Sequence, residues 1–92
     1  MKLEWTYFAQ ADRAGIYDYI DLDNPQAAAA LDERFRSAAS RLAKFPKIGR
    51  PGRVEGTREL VVHKHYILLY DIEGETVRIL RVLHTSRRWP AE

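Results

Sequence analysis

Cysteine is missing from the 92 residues, and with it go a disulfide framework, a thiolate zinc site and a cysteine nucleophile. Long apolar runs are missing as well, since none approaches the roughly 20 residues a membrane helix needs. The opening MKLEW passes directly into a strand-like alternation instead of an apolar leader, so a cytoplasmic location is expected. No Walker spacing, G-x-S-x-G, H-E-x-x-H or paired-carboxylate signature occurs. Internal repeats, linkers and low-complexity tracts are absent too. What remains is ordinary globular composition, 46% hydrophobic and 30% charged. A chain this short holds one core, so residues 1–92 are expected to form a single domain.

The net charge is only +2, but it is unevenly spread. Between Lys44 and Arg58 the chain also carries Lys47, Arg50 and Arg53 against Glu55 alone, a net +4. From Thr76 onward Arg78, Arg81, Arg87 and Arg88 oppose Glu92, a net +3. The half before Lys44 is net acidic, at −2. Such asymmetry suits an acidic partner, either nucleic acid or an acidic protein segment.

Lys2 to Thr6 alternates with Leu3 and Trp5 on one face, which predicts a short strand. Ala9, Asp12, Arg13, Ile16, Tyr19 and Ile20 then follow helical spacing, with Ile16 and Ile20 as core candidates. Gly15 weakens that helix by up to about 1 kcal/mol relative to alanine, and suggests the close approach of a neighbour. Asn24-Pro25 reads as an N-cap followed by a first-turn proline. Leu31, Phe35, Ala38, Leu42 and Phe45 continue as an apolar stripe, with Asp32 and Arg36 paired on the wet side. Phe45-Pro46 ends this second helix, and the short connection makes the two helices an antiparallel hairpin.

KIGRPGRVEG, from Lys47 to Gly56, reads as loop. Three strands follow, Thr57 to His63, Tyr66 to Ile72 and Thr76 to His84, the last two joined by a tight turn at Glu73-Gly74-Glu75. YILLYDI is almost continuously apolar and belongs in the middle of the sheet. The order is β-α-α-β-β-β: an α+β fold with an N-terminal helical hairpin on a curved, mainly antiparallel sheet.

Candidate chemistry begins with charged residues inside strands. Arg78 and Arg81 are an odd number of positions apart, which predicts opposite faces. One of them, with Arg58, is a phosphate clamp or a solvated sheet arginine, bonded to Asp71 in the blander reading. His84 shares the parity of Arg78 and is either a general acid or base for RNA cleavage or a strand-end group bonding a loop. His63 and His65 form an H-x-H pair without nearby carboxylates, so no metal or other cofactor is expected. Tyr66 and Tyr70 share a strand face, suited to core packing more than to base stacking. GRPGRV can cradle phosphate, but its spacing is not that of a Walker loop.

DYI at Asp18, NPQAA from Asn24, FPKIGRPGR from Phe45, TREL from Thr57 and RVLHTSRRWP from Arg81 together resemble the RelE/ParE superfamily of type II toxins. The resemblance covers nearly the whole chain. It implies either a RelE-like ribosome-dependent mRNA endoribonuclease or a ParE-like, plasmid-stabilising inhibitor of DNA gyrase. RelE-like chains carry an arginine in a Y-R-L-V-Y pattern where this chain has Ile67 in YILLY, and the V-L-H ending at His84 looks ParE-like. The resemblance therefore favours the noncatalytic branch; a ribonuclease would rely on His84, Arg58, Arg78 and Arg81. It also implies a cognate antitoxin with an acidic, partly disordered segment and a hetero-oligomeric complex. Docking of antitoxin or target is expected at Arg50, Arg53, Arg58, Arg81, His84, Arg87, Arg88 and Trp89, since arginine and tryptophan are enriched in interface hot spots. The target would be gyrase or the ribosome.

Overall fold

The structure, a computed structural model, describes residues 1–86. Its elements are β1 (Lys2–Trp5), α1 (Tyr7–Asp21), α2 (Pro25–Lys44), β2 (Arg50–Pro51), β3 (Thr57–His63), β4 (Tyr66–Glu73) and β5 (Thr76–His84). The strands form one sheet in the order β1-β5-β4-β3-β2, with β1 parallel to β5 and the remaining pairs antiparallel. The expected α+β order is present, with one addition. Arg50–Pro51, expected as loop, pairs as a two-residue edge strand with Arg58 and Glu59.

Local chemistry accounts for the boundaries. Thr6 caps α1 by accepting from the Ala9 N–H at 3.1 Å, and its hydroxyl donates onward to the Leu80 carbonyl at 2.9 Å. Asn24 caps α2 through the Ala27 N–H at 3.1 Å, with Pro25 in the first turn as anticipated. Gly74 opens the β4–β5 turn at φ +59°, a conformation that side chains with a Cβ disfavour.

The core lies between the hairpin and one sheet face. Leu31, Phe35, Ala38, Ala39 and Leu42 of α2 meet Leu68 and Tyr70 of β4 and Val77, Ile79 and Val82 of β5. Phe35 is 1% exposed and touches Tyr66 edge-on, with ring centroids 5.7 Å apart, so its loss to alanine should cost about 3–5 kcal/mol. Tyr66 and Tyr70 both pack on this side, as core packing requires. A smaller cluster of Ile67, Leu69 and Leu83, joined by Leu80, occupies the other sheet face.

Two expectations about the helices need correction. Phe45 leaves the apolar stripe, because it is the C-cap of α2 and 60% exposed. Asp32 does not pair with Arg36. It binds Arg13 of α1 at 2.6 and 3.0 Å, tying the hairpin together, while Arg36 turns to Glu33.

Candidate functional site

The parallel pairing of β1 with β5 ends at Trp5 and Ile79. Beyond it, Leu80 to His84 has no strand neighbour on that side among the described residues, and α1 runs alongside instead. The open edge is partly satisfied by α1 and its cap: Thr6 donates to the Leu80 carbonyl, and the Val82 N–H donates to Asp12 Oδ2 at 3.0 Å. A groove of about 740 Å³ lies between the two elements. Ala11, Gly15, Ile16 and Tyr19 line one wall, and Tyr66, Arg81, Val82, His84 and Ser86 line the other.

A β-bulge determines which charged residues share a face. Leu69 pairs with Arg81 and Tyr70 with Ile79, leaving Leu80 as the extra residue of β5. The extra residue resets the alternation. Arg78 opposite Asp71 and Arg81 opposite Leu69 therefore register on the same sheet side, away from the core, contrary to the parity expectation. His84, opposite Tyr66, falls on the helix side and is separated from Arg78, again contrary to expectation. Arg58, opposite Tyr70, is also on the helix side, so Arg58 and Arg78 do not line one concave face.

Each of these arginines is already occupied. Arg78 makes a two-pronged pair with Asp71 at 2.9 and 2.6 Å and reaches Glu73 at 2.9 Å. Arg81 grips both oxygens of Asp12 at 2.7 and 2.9 Å. Donating to Asp71 raises the Arg78 pKa and donating to Asp12 raises the Arg81 pKa, so both stay cationic with their charge compensated. Arg58 donates to the carbonyl oxygens of Gly49 at 2.9 Å and Lys47 at 3.5 Å, fastening the loop before β2. Arg50 pairs with Glu59 across the sheet edge at 3.1 Å, and Arg53 is exposed on the following loop. Arg87, Arg88 and Trp89 lie outside the described residues.

His84 sits among rings. It stacks on His65 with centroids 5.4 Å apart and planes 12° from parallel, and meets Tyr66 edge-on at 5.3 Å. Its Nδ1 accepts from the Ser86 N–H at 3.1 Å, and the Nδ1 of His63 accepts from the His65 N–H at 3.2 Å. An imidazole used this way carries its proton on Nε2 and presents a donor there, not a metal-ligating lone pair. Among the described residues, no group of three or more His, Asp or Glu side chains is arranged to hold a metal ion. Burial, followed by Arg34, His65 and Lys64, pushes the His63 pKa down.

The groove thus joins an imidazole held at Nδ1 by Ser86, two tyrosines and an arginine already neutralised by Asp12. Sequence reasoning overlooked Asp12 as an organising residue, although a carboxylate near the apolar face of α1 was a visible signal. Gly15 was noted for close packing, yet a Cβ built there meets nothing within 4 Å. Among the described residues no neighbour uses it.

The sequence model for the ParE toxin of type II toxin–antitoxin systems, parDE, matches residues 3–89. The chain belongs to the ParE toxin family. A protein of Sinorhizobium fredii named "Putative toxin Y4kP" is 41% identical over 90 residues, covering 97% of this chain and 93% of that protein. Toxin RelE2 of Caulobacter vibrioides is 39% identical over 86 residues, covering 94% and 97%. Among solved structures, a chain of the chromosomal ParDE system of P. aeruginosa matches with a TM-score of 0.81 and 27% identity, over 91% of this chain and 95% of that one. The YoeB/ParE toxin of Agrobacterium tumefaciens, 16% identical, shares the fold with a TM-score of 0.68 over 91% and 98%. This ParE-family chain accordingly shares its overall fold with both of these structures.

Proposed function

We propose that this ParE-family toxin acts in the cytoplasm as a noncatalytic inhibitor of DNA gyrase, within a plasmid-stabilisation module, and that a cognate antitoxin silences it. One observation carries the noncatalytic part: Arg58, Arg78 and Arg81 are split between two sheet faces and each is committed to a carboxylate or carbonyl. Cleaving RNA through a phosphorane requires uncompensated donors beside the general acid or base, and one such donor supplies about 2.7–4 kcal/mol of barrier lowering. Where a RelE-like chain would place an arginine, Ile67 is 8% exposed within the apolar cluster of the outer sheet face.

The antitoxin seats in the groove between α1 and the open half of β5, where an extended segment can run beside Leu80 to His84 and contact Tyr66, Tyr19 and His84. Exposed Arg50 and Arg53 at the far edge attract its acidic stretches. A RelE-like ribonuclease is the second reading, favoured by the convergence of His84, Tyr66 and Arg81 on one groove.

Induction of the toxin without its antitoxin separates the two readings, with transcript ends and gyrase-dependent DNA breaks mapped in parallel. DNA breaks with intact transcripts support the proposal. Codon-positioned cuts in messages that vanish in His84→Ala would replace it with the ribonuclease reading.

A further inference from the structure

The outer face of α1 carries Phe8, Ala11, Gly15, Tyr19 and Leu22, all exposed. Phe8 is 65%, Tyr19 73% and Leu22 90% exposed, so the stripe is bare where its side chains are largest. Its spacing of three, four, four and three residues is symmetric about Gly15. Gly15 itself leaves a dip at the centre, with no atom of the described residues within 4 Å of where a Cβ would stand.

We propose that this face pairs with the same face of a second copy of the chain, the two α1 helices running antiparallel about a two-fold axis at Gly15. Such an interface is isologous, so every contact occurs twice. Phe8 of each copy then meets Leu22 of the other, Tyr19 meets Ala11, and the glycines face one another where the backbones come closest. Tyr19 covers the small Ala11 beside the central glycines, and Phe8 packs on Leu22 at each end of the stripe.

Charge favours the same arrangement. The first turn of α1 holds no acidic residue and its last turn no basic one, while Asp18 and Asp21 lie near its C-terminal end. Within one copy those carboxylates oppose the helix dipole. In the antiparallel pair they lie beside the partner's positive N-terminal turn. Asp12, which falls opposite Asp18, is already neutralised by Arg81.

The area sets the strength. An aromatic side chain buries about 150–250 Å² when fully covered. Phe8, Tyr19, Leu22 and the adjoining Tyr7, at their observed exposures, therefore supply on the order of 1,000–1,200 Å² over both copies. That is the low edge of specific interfaces, about 1,200–2,000 Å², so the dimer is weak and concentration-dependent. Ala11, Gly15 and Tyr19 also line the groove proposed for the antitoxin, so the two partners exclude one another if both readings hold. The self-pairing stands without the antitoxin reading.

Two measurements on the full chain test it. Sedimentation velocity from micromolar to near-millimolar concentration should show a monomer–dimer shift, abolished by Leu22→Glu with the melting temperature unchanged. Because the chain has no cysteine, Gly15→Cys introduces a single thiol, and mild oxidation should cross-link two copies through it while an Ala29→Cys control on α2 does not. Monomer at every concentration, or a dimer indifferent to Leu22→Glu with no preferential Gly15→Cys cross-link, overturns the proposal. Neither result bears on whether the antitoxin seats in the groove.

Discussion

Asp12 holds Arg81 by both carboxylate oxygens and also receives the Val82 N–H, so one side chain of α1 closes the open half of β5. This makes Arg81 a fastener of helix to sheet. Removing Asp12 leaves a guanidinium and a backbone N–H without their partner. Asp12→Ala should lower unfolding free energy by about 1–3 kcal/mol, measured by urea denaturation. Adding Arg81→Ala should cost less than the two single losses together, with a coupling of about 0.5–3 kcal/mol. Additive losses would remove Arg81 from this structural role.

Tyr70 anchors the loop between α2 and β2. Its hydroxyl donates to the Pro46 carbonyl at 2.7 Å and receives the Gly49 N–H at 3.0 Å, and burial raises its pKa. Tyr70→Phe should cost about 1–3 kcal/mol, because it strands two polar groups of the loop. Gly49→Ala should be worse, since its Cβ would lie 2.5 Å from the Tyr70 hydroxyl and 2.8 Å from the Glu59 carbonyl oxygen. Thermal melts of the two variants provide the check; a Gly49→Ala protein as stable as wild type would contradict the packing described.

Acid should loosen the histidine end of the sheet. The His63 pKa is depressed, chiefly by burial and then by Arg34, His65 and Lys64. The unfolded chain therefore binds the proton more tightly than the folded one, and His63 contributes full stability above the ordinary histidine value of about 6.5. That contribution is lost as pH falls below it. Protonation at Nδ1 would also remove the acceptor of the His65 N–H. Urea midpoints at pH 7.5 and 5.5 should differ more for wild type than for His63→Gln; equal differences would assign the acid sensitivity to other groups.

Arg78 is expected to be dispensable for toxicity while supporting β4 against β5. Arg78→Ala should reduce stability and leave growth arrest on induction intact at permissive temperature, because its charge is satisfied by Asp71 and Glu73. Loss of arrest at unchanged protein level would give the outer sheet face a direct part in target contact.

Much of the fold was legible because it rests on local rules. Asn24-Pro25 announced the start of α2, the spacing of Leu31, Phe35, Ala38 and Leu42 announced its buried face, and Gly74 announced the last hairpin. The site was less legible. A single bulged residue, Leu80, reversed the face of everything after it, and period-two spacing cannot register an inserted residue. The partners of Arg81 and Asp32 were likewise hidden, since Asp12 lies 69 residues from the first and Arg13 19 residues from the second. Gly15 was visible as an anomaly, but only the packing revealed that no neighbour among the described residues occupies it.

The account stands most directly on purified components: the toxin titrated into a gyrase supercoiling reaction and, in parallel, into translating ribosomes. It predicts blocked supercoiling or trapped cleaved DNA, reversed by the cognate antitoxin, with messages left whole. Uninhibited gyrase at saturating toxin together with message cleavage that depends on His84 would contradict it.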